Sequence, residues 1–255
     1  AELAHAAGAV LLCDAVQAAG LPGVAMTADG IDLLALASHK LGGPTGVGAL
    51  VVRPGTSLRP LVHGGGQERG LRSGTLPAAA LAGFGAAAAA ALTDRHTGTT
   101  ATTLSTLRSH LLAGLRALAP DLERNGDPGP QAGLPGLLSV RFPGRRAEDL
   151  LLLLDRHGVA CSAGSACASG AVTPSHVLVA MGRDPVAARE TVRFSLGHAS
   201  TQADVDAAVT AVAQALEVLT PADGSPDRRR DAPDRSGRGS PDPRRGAAVR
   251  PGVGG

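Results

Sequence analysis

The chain has 255 residues, 44% of them hydrophobic and 18% charged, with a formal net charge of +2. That apolar content is enough for a packed core and excludes a wholly disordered or fibrous protein. Its three aromatic residues are all Phe (Phe84, Phe142 and Phe194), so gripping nucleic acid by base stacking has almost nothing to work with. Three cysteines, Cys13, Cys161 and Cys167, cannot make a disulfide framework, and the odd count suits a reducing compartment such as the cytoplasm. No run reaches the roughly 18 apolar residues of a membrane span. The chain opens on AELAHAAGAVLL without Met and in mid-pattern, so its natural start is expected upstream.

Apolar strand-like runs alternate with helix-like segments, which predicts an α/β fold. Residues 1–7 read as the end of a helix stopped by Gly8. Three short apolar runs follow as strands: AVLLCD (9–14), IDLLALAS (31–38) and VGALVV (47–52). Runs this apolar suit a sheet covered on both faces. A Gly-rich loop, HGGGQERGLRSGT (63–75), precedes a helix over 77–92, and the polar, Thr-rich stretch 93–103 reads as a hinge. Beyond it come a helix (104–118), a strand (137–142) and the helix AEDLLLLLDRHG, whose Glu148 and Asp149 complement the helix dipole. A loop of small residues (161–173), a helix opened by Pro174, a strand at TVRFSL and an amphipathic helix over 201–219 complete the pattern. The domain expectation is therefore 1–95, 96–220 and a tail, 221–255. That tail carries eight Arg against five Asp and almost nothing apolar. Such a segment cannot offset its ordering entropy and is expected to be a solvated, disordered tail. With the basic residues concentrated there, the core is not basic and no direct nucleic-acid contact is expected.

Five clusters could carry chemistry. Asp14 ends an apolar strand, with Gln17 three residues on; strand ends border the ligand crevice in open α/β sheets. A protonated ring nitrogen would suit that carboxylate, although Asp is equally at home as a helix N-cap. The second strand ends in Ser38, His39 and Lys40. A half-buried Lys there would be a nucleophilic amine fit for a Schiff base, and His39 could donate to a phosphate; a solvent-facing Lys at a turn is the plain alternative. Gly-rich backbone beside Arg in 63–75 could cradle a phosphate. In CSAGSACASG (161–170), Cys167 lies among Ser, Ala and Gly, placed to react, while Cys161 is the packing residue. His157 and His176 flank that loop, but the spacing fits no standard zinc pattern and no metal is expected. Arg193, a cation inside the strand TVRFSL, suits a carboxylate or an exposed sheet edge.

Together these clusters resemble the cysteine desulfurases of the class V aminotransferase group, over residues 1–219 and in the family's order. CDAVQAAG is similar to the D-x-x-Q cofactor motif, SHKLGGPTGVGAL to the Lys loop, HGGGQERGLRSGTLP to the Gly/Arg segment, CSAGSACASG to the SSGSAC loop and VRFSLG to the carboxylate-binding strand. The resemblance implies a pyridoxal-phosphate-dependent transferase fold and pyridoxal 5'-phosphate as cofactor. Lys40 would hold it as a Schiff base, Asp14 its ring nitrogen, Gln17 its phenolic oxygen and His39 its phosphate. Thr75 would reach the phosphate of a neighbouring subunit, implying a homodimer. Arg193 would hold the carboxylate of L-cysteine, and Cys167 would take its sulfur as a persulfide, releasing alanine. The sulfur would pass to an acceptor protein, an iron–sulfur scaffold or a tRNA-thiolation enzyme. Two departures stand out. Family members are longer at the N-terminus, and where they carry a hydroxyl three residues before the Lys this chain has Ala37. Ser38, pointing to the other face, is not assigned to the phosphate. An aminotransferase, a selenocysteine lyase and an inactive remnant serving as a binding scaffold are the competing readings.

Overall fold

The computed structural model describes residues 1–21, 24–127, 129, 133–164 and 174–219. Residues Ala1–Leu219 form one compact unit; the expected tail, 221–255, lies outside the described residues. In chain order the unit runs α1 (Glu2–Ala6), β1 (Leu12–Asp14), β2 (Leu33–Ala37), a 3-10 turn (Ser38–Leu41) and β3 (Gly48–Val52). A second 3-10 turn (Glu68–Gly70), α2 (Ala78–Thr97), α3 (Thr99–Leu118), β4 (Glu123–Arg124), β5 (Leu137–Arg141) and α4 (Ala147–Arg156) follow. The unit ends with α5 (His176–Ala180), α6 (Pro185–Arg189), β6 (Thr191–Ser195) and α7 (Gln202–Leu219).

Two separate three-stranded sheets result. In the first, β1 runs parallel to β2 and β3 antiparallel to it. In the second, the order β4-β5-β6 is antiparallel throughout. The core sits on the second sheet. Leu138 and Val140 of β5 face Phe194 and Val192 of β6 across the register, the period of two that puts alternate residues on one face. Helices α3, α4 and α7 cover that face. Leu104, Leu107, Leu111 and Leu115 of α3 and Leu150 and Leu154 of α4 are buried at the i, i+3, i+4 spacing of one helical stripe. Leu152, off the stripe, is exposed.

The first sheet departs from expectation. Its strands read as buried on both faces, yet Val10, Leu12, Leu50 and Val51 are exposed, and β1 shrinks to three residues. An apolar run marks a doubly covered strand only where something lies on both sides. Here β1 and β3 are both edges and β2 alone is central. The Thr-rich stretch 93–103 departs too, being helical on both sides of Gly98. Gly98 adopts φ 69°, the left-handed conformation that glycine tolerates and that closes helices.

Polar networks fix the ends of the elements. Arg141 pairs with Glu123 at 2.6 Å and Glu190 at 2.7 Å, and Arg183 pairs with Glu123 at 2.5 Å, tying β4, β5 and the approach to β6. In the first sheet Asp32 accepts from Leu11 N at 2.8 Å and meets His5 Nε2 at 2.7 Å, with Arg53 at 3.5 Å. The Leu11 N–H, followed by the hydrogen bond to His5, holds the Asp32 carboxyl below its ordinary 3.8. The folded state thus favours the ionised form, and this stabilisation is complete above about 3.8 and lost as pH falls through the lower folded value. Urea midpoints of the parent and Asp32→Asn, measured from about pH 6 to about pH 3, should therefore converge on acidification. A gap that widens instead would contradict the assignment.

Candidate active site

Because β1 and β2 are parallel, their carboxyl ends emerge on the same side of the sheet, with Asp14 opposite Ala35 in the register. Asp14 is exposed and its Oδ1 accepts from Val16 N at 3.0 Å, so it caps the turn that carries Gln17. That is the local role any Asp takes at such a place. Beyond Ala37 the chain makes its 3-10 turn, which Gly42 ends at φ 83°. Ser38 is fully buried, and a Cβ on Gly43 would collide with its Oγ and with Ala87 of α2. The hydroxyl therefore points into the packing, away from the phosphate role it was not assigned. His39 and Lys40 turn outward and are exposed. Lys40 is thus not half-buried as its strand-end position suggested, because the turn lifts it clear of the sheet.

Lys40 and Gln17 border one cleft of about 480 Å³. Its other walls come from α2, from Thr100 and Leu104 of α3, from Ser195 at the end of β6 and from the segment after it, where His198 reaches the cleft. Asp94 of α2 lines it as well, accepting from both N and Oγ1 of Thr100 at 3.1 and 2.8 Å. Asp14, His39, Thr75 and Arg193 are not among the lining residues.

Arg193 lies two residues before Ser195 on β6. Its backbone exchanges two hydrogen bonds with Ser162, at 2.7 and 3.1 Å, and its neighbour in the register is Ser139. The Nε is buried without a partner among the described residues. An unspent guanidinium donor in a buried place is costly unless an acceptor completes it. Thr75 is exposed, at the end of a loop pinned by Ser73 Oγ and Gln67 Oε1, which accept from Gly66 N and Gly74 N. At the tip of that loop Glu68 and Arg69 hold φ of 54° and 59°, a left-handed pair costing about 1–3 kcal/mol per residue.

Cys167 lies outside the described residues. Cys161 packs half-buried against the core, where burial and the Asp155 charge push its thiol up to about 11. That thiol stays protonated at neutral pH and is a poor nucleophile, in keeping with a packing role. Among the described residues no cluster of His, Cys, Asp and Glu is placed to hold a metal ion, and no helix is long and apolar enough to cross a membrane.

Sequence reasoning missed two features of the site. Lys40 is the sole lysine of the chain, every other non-His cation being Arg, so the cleft holds its one ε-amine. His198 was also overlooked, since only the fold brings the segment after β6 to the turn after β2.

Residues 1–208 match the family described as aminotransferase class-V. The chain is 42% identical over 222 residues to an IscS-like cysteine desulfurase of Mycobacterium tuberculosis, covering 86% of this chain and 56% of that protein. Among solved structures it is similar to a NifS-like protein from Rickettsia africae, with a TM-score of 0.75 at 28% identity, over 85% of this chain and 56% of the other. It is also similar to SspA in complex with cysteine, with a TM-score of 0.59 at 30% identity, over 76% and 52%. The chain spans about half the length of the relatives it matches.

Proposed function

Because the chain belongs to the class-V aminotransferase family and has its α/β fold, we propose that its cleft serves a cysteine desulfurase, converting L-cysteine to L-alanine and passing the sulfur on as a persulfide. The observation that carries this reading is the meeting of Lys40 and Gln17 in one cleft, beside the strand end that presents Asp14. The donor set suits pyridoxal 5'-phosphate in its chemistry, with Lys40 and Gln17 lining the cleft and Asp14 and His39 outside that lining. Lys40 offers an amine to its carbonyl, Asp14 a carboxylate to its ring nitrogen, Gln17 an amide to its phenolic oxygen and His39 an imidazole to its phosphate. When bound, that cofactor supplies an electron sink for bonds at the substrate α-carbon.

The remaining roles belong to the chain itself. Arg193, with its uncompleted Nε, holds the carboxylate of L-cysteine. Cys167 takes the sulfur: an S–S bond forms on Cys167, the C–S bond of the substrate breaks, and protonation of the carbon gives alanine. Cys161 does not substitute, because its thiol is held up at about 11. Thr75, exposed and outside its own chain's cleft, is assigned to the phosphate in a second copy, which makes the working form a homodimer. The two separate sheets support a division into a cofactor-binding part, 1–95, and a small domain, 96–220. The free thiols that this reading needs are kept reduced in a reducing compartment, so it places the protein in the cytoplasm. Its partner is a sulfur-acceptor protein of the iron–sulfur scaffold or tRNA-thiolation kind.

The test is to supply the purified chain with pyridoxal 5'-phosphate and L-cysteine and to measure alanine and protein-bound sulfur. Equal amounts are expected, and Cys167→Ser should lower both at least about 100-fold while sparing the visible absorbance of the Lys40 adduct. Undiminished alanine formation in Cys167→Ser would overturn the role of that thiol, and loss of the amino group from L-cysteine without alanine formation would make the enzyme an aminotransferase instead.

A further inference from the structure

We propose that His198 is the acid–base partner of the Lys40 amine, exchanging a proton with it and with the ammonium group of the incoming amino acid. The inference rests on the reading of the cleft given above. His198 ends the segment that leaves β6, and it borders the same cleft as Lys40. The two walls are neighbours at Gly42, two residues after Lys40: a Cβ there would lie 3.8 Å from His198 Cε1, an ordinary van der Waals separation. The other ionisable groups lining the cleft are Lys40 itself and Asp94. Asp94 is engaged by Thr100 N and Oγ1, whereas His39, on the Lys40 turn, does not line it. His198 is therefore the one imidazole in the cleft among the described residues.

The chemistry needs such a group. An ordinary amine, with a pKa of about 10.4, is almost wholly protonated at neutral pH and has no lone pair to offer a carbonyl. Imidazole is the side chain whose ordinary pKa lies near neutrality, so it can both accept and return a proton. In the step assigned to it, an N–H bond of the ammonium breaks and its electron pair stays on the amine nitrogen. An N–H bond forms on the ring. Nothing is oxidised or reduced, and the imidazolium later gives the proton back to the departing amine.

The experiment follows the rate at which the chain develops visible absorbance with pyridoxal 5'-phosphate, over about pH 6 to 8.5, in the parent, His198→Gln and His198→Ala. The variants should reach the parent's final amplitude, because Lys40 remains, but at neutral pH about 10-fold more slowly and with a flattened pH profile. Free imidazole should restore the rate of His198→Ala, which it would not do for a merely structural residue. A second readout, independent of turnover, is the NMR titration of the His198 ring, whose midpoint should move in Lys40→Met. Parent-like rates and pH profiles in both variants, or coincident ring titrations, would overturn the assignment and leave the cleft's function standing. A parent chain that develops no absorbance would overturn that function, and this inference with it.

Discussion

Replacing Lys40 by alanine abolishes the visible absorbance that the chain develops with pyridoxal 5'-phosphate, and lowers alanine formation from L-cysteine by a factor on the order of 10³ or more. The expectation is unusually clean because no other lysine exists in the sequence. An ε-amine adduct therefore has one possible address, and reduction with borohydride followed by peptide mapping identifies it. A nucleophilic amine in a catalytic cleft cannot be replaced by a group without a lone pair, which is why the loss is near total rather than graded. Absorbance that persists in Lys40→Ala, with label recovered elsewhere, would dismiss the cofactor assignment outright.

Phe142→Ala should remove about 3–5 kcal/mol of stability, a large share of the roughly 5–15 kcal/mol that holds a domain folded. Phe142 is fully buried just beyond β5, and its backbone N–H donates to Glu190 O at 2.9 Å. The ring thus fills the core at the point where the Arg141–Glu190 pair ties the end of β5 to the start of β6. Truncation leaves a void that the close-packed sheet and helices around it cannot collapse. Phe142→Leu, which keeps most of the volume, should cost less than about 1.5 kcal/mol. Urea denaturation of the three proteins gives the ranking, and equal losses in the two variants would contradict the packing described.

The second sheet and its helices were legible because their signals are local. The run AEDLLLLLDR buries Leu150 and Leu154 and exposes Leu152, as its spacing requires. Helix α6 was overlooked although its start is written plainly: Asp184 accepts from Val186 N at 2.8 Å and Pro185 takes the first helical position, the two residues best suited to opening a helix. Strand β4 has two residues, too few for any periodicity. In the first sheet the apolar runs located the strands but not their exposure, since covering depends on elements distant in sequence. The site divides along the same line. Asp14 and Lys40 stood out as ionisable groups ending apolar runs, whereas the outward turn of Lys40 and the approach of His198 are properties of tertiary structure. Cys167 rests on its sequence neighbourhood.

Gly98 has a mechanical consequence. It joins two helices of 20 residues each, levers about 30 Å long. The cleft sits in their elbow, with Asp94 on one arm and Thr100 on the other. A rotation of about 10° at this single joint swings the far end of such a lever by about 5 Å. The hydrogen bonds from Thr100 N and Oγ1 to Asp94 bridge that joint and hold the angle between the two arms.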